Sequence, residues 1–228
     1  MIFRFTKKIL IIVCLVIIIS SSVFAGPMDD LLINGVQNND MYIIKMALAN
    51  GANINYIKYD SDTPLLVAVR KNNIALVDYL LKNGADANFR TKNITPLGEA
   101  TRLKKDLKII KNLVNYSADI NSLSDGCSPL WNAVSNPPNI EVIKYFLSKN
   151  VDVNQASENG RTPLMIVAQY ENGWDEGYAQ QKIMAAKLLL KAGADPSMVN
   201  KRGNTALQYA IDSNFNQMIN LLLPISPK

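Results

Sequence analysis

Thr63-Pro64-Leu65, Thr95-Pro96-Leu97, Ser128-Pro129-Leu130, Thr162-Pro163-Leu164 and Thr205-Ala206-Leu207 are one phrase in five copies. Three positions after each Leu stands a small or short apolar residue: Ala68, Ala100, Ala133, Val167 and Ala210. The hydroxyl residues are 32, 33, 34 and 43 positions apart. A second marker keeps step at 33, 33, 33 and 43: Gly51-Ala52, Gly84-Ala85, Ser117-Ala118, Asn150-Val151 and Gly193-Ala194. A fixed period of this kind marks an array of small supersecondary units that bury a core only by stacking on one another.

The residues predict a helix hairpin in each unit. Thr63 suits an N-cap, because its hydroxyl can accept from a free amide of the first turn. Pro64 suits the first helical position, where φ is preset and no amide is needed. A short helix is expected from about Pro64 to Lys71, broken by Asn72-Asn73. A second helix carries a one-face stripe at Ile74, Val77, Leu80 and Leu81. The same offsets give Met41, Ile44, Ala47 and Leu48, then Leu107, Ile110, Leu113 and Val114. They also give Ile140, Ile143, Phe146 and Leu147, then Ile183, Ala186, Leu189 and Leu190. Gly84 ends its helix in a left-handed C-cap. Asn150 can adopt that conformation, whereas Ser117 is a poor substitute, so strain or fraying is expected there. Asp86-Ala87-Asn88 opens a turn-rich connection to the next Thr.

The pattern resembles the ankyrin repeat, in which Thr-Pro-Leu-His-x-Ala opens the first of two helices behind a β-turn finger. The resemblance runs from about Asp30 to Leu223 and implies an all-α solenoid of about six helix-pair units. Their expected bounds are 28–55, 56–88, 89–121, 122–154, 155–197 and 198–228, within a repeat domain at 26–228. The first unit has Asp30-Leu31-Leu32 in place of the phrase, and the last has Ala206 for Pro. Atypical ends are expected of units that cap a stack. The chain has no histidine, and Leu66, Gly98, Trp131, Met165 and Gln208 occupy the family's His position. Losing those hydrogen bonds predicts looser fingers.

The first 25 residues read differently. Arg4, Lys7 and Lys8 precede an unbroken apolar run, Ile9 to Ile19, and then Ser20-Ser21-Ser22-Val23-Phe24-Ala25. A basic start, a short apolar core and small residues before the cut make a secretory signal peptide, with cleavage expected after Ala25. The run is shorter than the roughly 20 apolar residues of a spanning helix. A periplasmic address in a bacterium is expected, with release from the cell as the alternative. Without those three bases the formal charge falls from +5 to +2, and no basic stripe with interleaved aromatics remains, so nucleic acid is not an expected partner. Cys127 is the one cysteine left after the leader, so no internal disulfide can form.

Little in the chain points to catalysis. Without His there is no imidazole base and no His-containing zinc site, and no phosphate-cradling glycine loop is present. Neighbouring acids such as Asp60 and Asp62, or Asp175 and Glu176, read as solvated turn residues. No cofactor or metal is expected, and the chain is read as a non-enzymatic, monomeric binding module. The ankyrin resemblance implies contact positions on the fingers and first-helix ends: Tyr59, Asp60, Arg70, Lys71, Arg90, Lys92, Arg102, Leu123, Asp125, Glu158, Arg161, Lys201 and Arg202. The fifth unit is ten residues longer than its neighbours. The excess, Gln169 to Gln180, carries Tyr170, Trp174 and Tyr178, residue types common at interface hot spots. It reads either as a contact loop or as a segment folded back on its own helices. The partner is expected to be a protein, bound by a scaffold of the envelope. The alternatives are an immunity protein that neutralises a toxin enzyme and a secreted effector that binds a host protein.

Overall fold

The computed structural model describes residues 26–59, 62–170 and 175–225, so the leader, Asp60 and Trp174 lie outside the described residues. Among those described, the helices form six pairs. They are α1 (26–38) with α2 (Met41–Ala49), α3 (Pro64–Arg70) with α4 (Ile74–Lys82), and α5 (Pro96–Arg102) with α6 (Leu107–Asn115). Then come α7 (Pro129–Val134) with α8 (Ile140–Leu147), α9 (Pro163–Ala168) with α10 (Glu176–Lys191), and α11 (Ala206–Asp212) with α12 (Asn216–Leu222). Two compact units divide after Asp86, the first holding α1 to α4 and the second α5 to α12. In the second unit the first helices form one layer, α5 on α7, α7 on α9 and α9 on α11. The second helices form another, α6 on α8 and α8 on α10.

The repeated phrase sets the helix starts. The hydroxyls of Thr63, Thr95, Ser128, Thr162 and Thr205 accept from the amides of Leu66, Gly98, Trp131, Met165 and Gln208 at 3.1–3.4 Å. Each such cap satisfies an amide that the helix cannot. Second helices use acids and amides instead: Asp40, Asn73, Asp106, Asn139 and Asp175 cap α2, α4, α6, α8 and α10. Asn73 therefore starts a helix as well as separating two. Phe215, before the terminal α12, makes no side-chain cap.

The core stripe is displaced from its expected start. Leu76, Ile109 and Val142 are buried, whereas Ile74, Leu107 and Ile140 are only half-buried. The residue after the N-cap stands at the open end of the helix, and the stack closes one turn further on. The two middle positions of the stripe hold, with Val77, Leu80, Ile110, Leu113, Ile143, Phe146, Ala186 and Leu189 all buried, whereas its last position is buried at Leu81 but only half-buried at Leu48, Val114, Leu147 and Leu190. Burying side chains of this size contributes about 1.5–3 kcal/mol each.

Ser117 is not frayed. It takes φ +64°, and the amide of Ala118 donates to Leu113 O at 2.9 Å, matching Ala85 to Leu80 O at 3.0 Å beside Gly84. Asn88 Nδ2 also donates to Ser117 O at 2.7 Å, which offsets the strain of a left-handed serine.

That Asn belongs to a ladder at the turn side. Asn88, Asn121 and Asn154 offer Oδ1 to the amides of Asp119, Asp152 and Asp195 at 2.7, 2.9 and 2.8 Å, one repeat onward. Each Asp then accepts, through its own side chain, the amide two residues later, at Asn121, Asn154 and Ser197. In the first unit Asn55 accepts from Asp86, and Asp29 from Asn53. The ladder satisfies turn amides that no helix or sheet could reach.

The excess of the fifth pair is largely helix. Helix α10 has 16 residues where α8 has 8, so Glu176 to Gln180 lie in its added turns rather than in a loop. Those turns bring in Lys182, which is fully buried. Its Nζ donates to Ile166 O at 3.1 Å and to Gln169 O, and lies 5.7 Å from the Tyr178 ring centroid. A cation on the terminal carbonyls of α9 satisfies them and complements the negative end of the helix dipole.

Candidate protein-binding face

The fingers precede the first helices. Those of the second unit span 91–94, 124–127, 157–161 and 200–204. Thr91 and Ile94 exchange backbone hydrogen bonds at 3.1 and 2.9 Å, and Ser124 and Cys127 at 2.8 and 3.1 Å. Lys92, Asp125, Gly126, Gly160 and Gly203 take positive φ, as tight finger turns require. Successive fingers are joined through their backbones. Asp125 N donates to Asn93 O at 2.7 Å, Glu158 N to Gly126 O at 3.0 Å, and Lys201 N to Asn159 O at 3.4 Å. The series lengthens toward the last finger. At Gly160 the next finger's backbone comes close, since a Cβ there would stand 2.9 Å from Lys201 N.

This ladder overturns the expectation of loose fingers, because backbone bonds do the work expected of the absent histidines. Local substitutes add to it. Gly98 leaves room for Ser124, whose Cβ would lie 2.1 Å from a Cβ at position 98, and Ser124 Oγ accepts from Thr95 N at 3.1 Å. In the last unit Asn200 Nδ2 donates to the Tyr209 hydroxyl at 2.7 Å. Trp131, in the His position of its copy, has a buried Nε1 that meets no acceptor among the described residues.

The predicted contact residues have different environments. In the first unit Tyr59 is 78% exposed at a left-handed fingertip. Arg70 pairs with Asp62 at 2.6 Å, and Lys71 is the exposed C-cap of α3. In the second, Lys92, Asp125, Glu158, Lys201 and Arg202 are exposed along the fingers. Arg90 Nη2 donates to Ser122 Oγ and Leu123 O at 3.0 and 2.6 Å, tying it to the next finger. Leu123 is half-buried. Arg102 pairs with the buried Glu99 at 2.7 Å. Asp175 is the α10 cap, donated to by Tyr178 N at 2.8 Å. Tyr170 folds back, its ring 4.9 Å from that of Phe215 and its amide on Ser213 Oγ at 3.1 Å. Tyr178 is half-buried beside Lys182, so both described aromatics of the excess segment pack on the body.

Two cavities of about 400 Å³ each lie at the last finger, one of them reaching the finger before it, and share Gln169, Arg202 and Tyr209. Arg161 lines one of them, 4.7 Å above the Tyr209 ring, with Nη2 donating to Gln169 Oε1 at 2.6 Å. The sequence reading missed Tyr209 and Asn200, and named Gln169 only as the first residue of the excess segment. A signal existed: Tyr209 stands between the His and Ala positions of the phrase, where the other copies have Val67, Glu99, Asn132 and Ile166. An aromatic there is out of keeping with its column. A third cavity, about 270 Å³, is lined by Lys104, Asp125, Cys127 and Trp131 among others. Burial raises the Cys127 thiol pKa above its ordinary value, Asp125 and Glu158 raise it further, and Arg161 partly offsets them. No group of three or more His, Cys, Asp or Glu side chains among the described residues could hold a metal ion.

A family model described as "Ankyrin repeats (3 copies)" matches residues 32–124, 97–177 and 130–228. The chain belongs to the ankyrin-repeat family. Such repeats mediate protein–protein interaction and serve in general as non-enzymatic scaffolds. Among solved structures, the chain is similar to an ankyrin repeat domain from Acinetobacter baumannii AYE. The two are 30% identical with a TM-score of 0.75, over 86% of this chain and 98% of that one. The ankyrin repeat protein EF0377 matches at 23% identity and TM-score 0.75, over 87% of this chain and 98% of that one. A chain in the complex of the predatory endopeptidase Bd0816 from Bdellovibrio bacteriovorus with immunity protein Bd3460 matches at 23% and 0.70, over 85% and 97%. Among curated proteins none matches significantly.

Proposed function

We propose that this ankyrin-repeat protein is exported to the bacterial envelope and there holds a protein partner on the finger side of its second unit. One observation carries the binding face. Four fingers joined by backbone hydrogen bonds present Lys92, Asp125, Glu158, Lys201 and Arg202 along one edge, exposed and outside the core. A rigid edge of unburied charges binds with little ordering entropy, and its charge order sets which partner fits. The export half of the proposal rests on the leader sequence alone.

The test is to express the chain from Met1 with a C-terminal tag in its own host, fractionate the cells and capture partners from the periplasm. A stoichiometric partner, lost when Lys201 and Arg202 are both changed to Gln, is the expected result. Recovery of the protein in the medium with no periplasmic partner would sink the address and favour the effector reading. The inhibitor reading draws on the endopeptidase–immunity protein complex among the structural neighbours. It requires the captured partner to be an enzyme whose activity stops at one equivalent of this chain.

A further inference from the structure

We infer that the cavity between the last two fingers receives a carboxylate of the bound partner. This rests on the protein-binding reading above. Arg161, Lys201 and Arg202 line the cavity together with Gln169, Asn200 and Tyr209, and no Asp or Glu among the described residues lines it. Three cations lining one open cavity repel one another, and an anion placed among them relieves that repulsion. Asp212 lines the adjoining cavity, where it accepts from Gln208 Nε2 at 2.7 Å. No ion pair joins Asp212 to Arg202 among the described residues, so the charge at the last finger is left for a ligand.

Arg161 is prepared for a planar acceptor. Its guanidinium is fixed by the Tyr209 ring on one face and by Gln169 at Nη2. Its Nε is buried and meets no acceptor among the described residues. A buried donor without a partner is costly, and a ligand that reaches or reorients the guanidinium can recover that cost. A guanidinium held in one plane matches the two oxygens of a carboxylate.

The backbone argues against a phosphate nest, which needs free amides. At the last finger the amides are committed. Asn200 N donates to Asn204 O, Lys201 N to Asn159 O, and Gly203 N to Asn200 O. Arg202 N and Asn204 N both donate to Asn200 Oδ1, at 2.8 and 3.0 Å. Recognition is therefore left to side chains. A protein can supply the carboxylate from an Asp or Glu side chain or from its C-terminus.

The experiment follows the Arg161 Nε–H resonance of the chain expressed from Met1, assigned by its absence in Arg161→Lys. Four probes are titrated: N-acetylated, C-amidated tetraglutamate, an N-acetylated tetrapeptide with uncharged side chains and a free C-terminus, its amidated form, and inorganic phosphate. A shift with either carboxylate probe, weakened about tenfold in the exposed Arg202→Gln variant, supports the inference, and the responding probe names the source. No shift with either carboxylate, an equal shift with the amidated uncharged peptide, stronger binding of phosphate, or unchanged affinity in Arg202→Gln would each overturn it. If the periplasmic partner is still captured when these titrations fail, the binding module stands and only the carboxylate site falls.

Discussion

On the turn side of the second unit, Asn88, Asn121 and Asn154 make the same bond to the next repeat's Asp amide, at distances within 0.2 Å of one another. On the finger side the backbone repeats as well, but the side chains it carries run Lys92, Asp125, Glu158, Lys201. Both rows lie in loops, and both are polar. They differ in what each polar group must satisfy. A turn amide with no neighbour in helix or sheet needs a particular acceptor, so the same residue type returns. A fingertip whose amide is already satisfied by the preceding finger leaves its side chain without a structural task, so it can be whatever a partner requires.

The largest effect is expected where the finger side becomes structural. A Cβ at Gly98 would overlap Ser124 Cβ at 2.1 Å, and neither backbone can give way without breaking the 3.1 Å bond from Thr95 N to Ser124 Oγ. Gly98→Ala is expected to destabilise the chain by about 3 kcal/mol in urea unfolding, as overpacking of a close contact does. Adding Ser124→Gly should recover part of the loss. An unchanged unfolding midpoint in Gly98→Ala would show that the fingers are looser than their ladder implies.

The legibility of the fold follows the same division. Thr63-Pro64-Leu65 and its copies state their physics in the residues themselves, a hydroxyl to cap, a ring to fix φ and a Leu to bury, and the helix starts follow. The Asp-x-Asn ladder is equally periodic, at Asp86-Ala87-Asn88, Asp119-Ile120-Asn121 and Asp152-Val153-Asn154, yet it reads as turn composition until two units stand side by side. Its bonds cross from one repeat to the next, and no local propensity encodes that. Ser117 misleads for the same reason, since Asn88 supports it from 29 residues away. The segment after Gln169 misleads because Gly173 and Gly177 read as loop, whereas Asp175 caps a helix and Lys182 anchors it. Of the candidate site, the exposed charges were legible. The cavity was not, because Gln169, Asn200 and Tyr209 come together only in the fold.

The turn ladder predicts a middle effect. Asn121→Ala removes the acceptor of Asp152 N at 2.9 Å in a largely exposed turn. A loss of about 1 kcal/mol is expected, with Asn121→Asp, which keeps the acceptor, losing less. If Asn121→Ala were silent while Asn88→Ala and Asn154→Ala were not, the ladder would be unequal along its length. Exposed finger charges should do less. Glu158→Gln, Lys201→Gln and Arg202→Gln are each expected within about 0.5 kcal/mol of the parent, because no core contact is lost. Partner capture is expected to fall in the same variants, and a stability loss equal to that of Asn121→Ala would erase the distinction between the two sides.

The finest test reads the field at the fingers through Cys127. Burial disfavours its thiolate first, the carboxylates of Asp125 and Glu158 disfavour it further, and Arg161 works against them. The thiolate is the species that reacts with an alkylating reagent, so the rate of iodoacetamide modification should rise with pH through a midpoint above the ordinary thiol range. Asp125→Asn removes one negative neighbour while keeping a residue that tolerates the left-handed φ of +51° at that fingertip. Its midpoint should move down and its rate at neutral pH should go up. Glu158→Gln should act in the same direction and by less, since Asp125 is the stronger of the two acids. Arg161→Gln should act oppositely and slow the reaction, because its positive charge favours the thiolate. The three signs together test whether adjacent fingers share one electrostatic field. If Asp125→Asn moved the midpoint and the two residues of the 157–161 finger did not, each fingertip would act alone, and a partner would have to meet the edge one residue at a time.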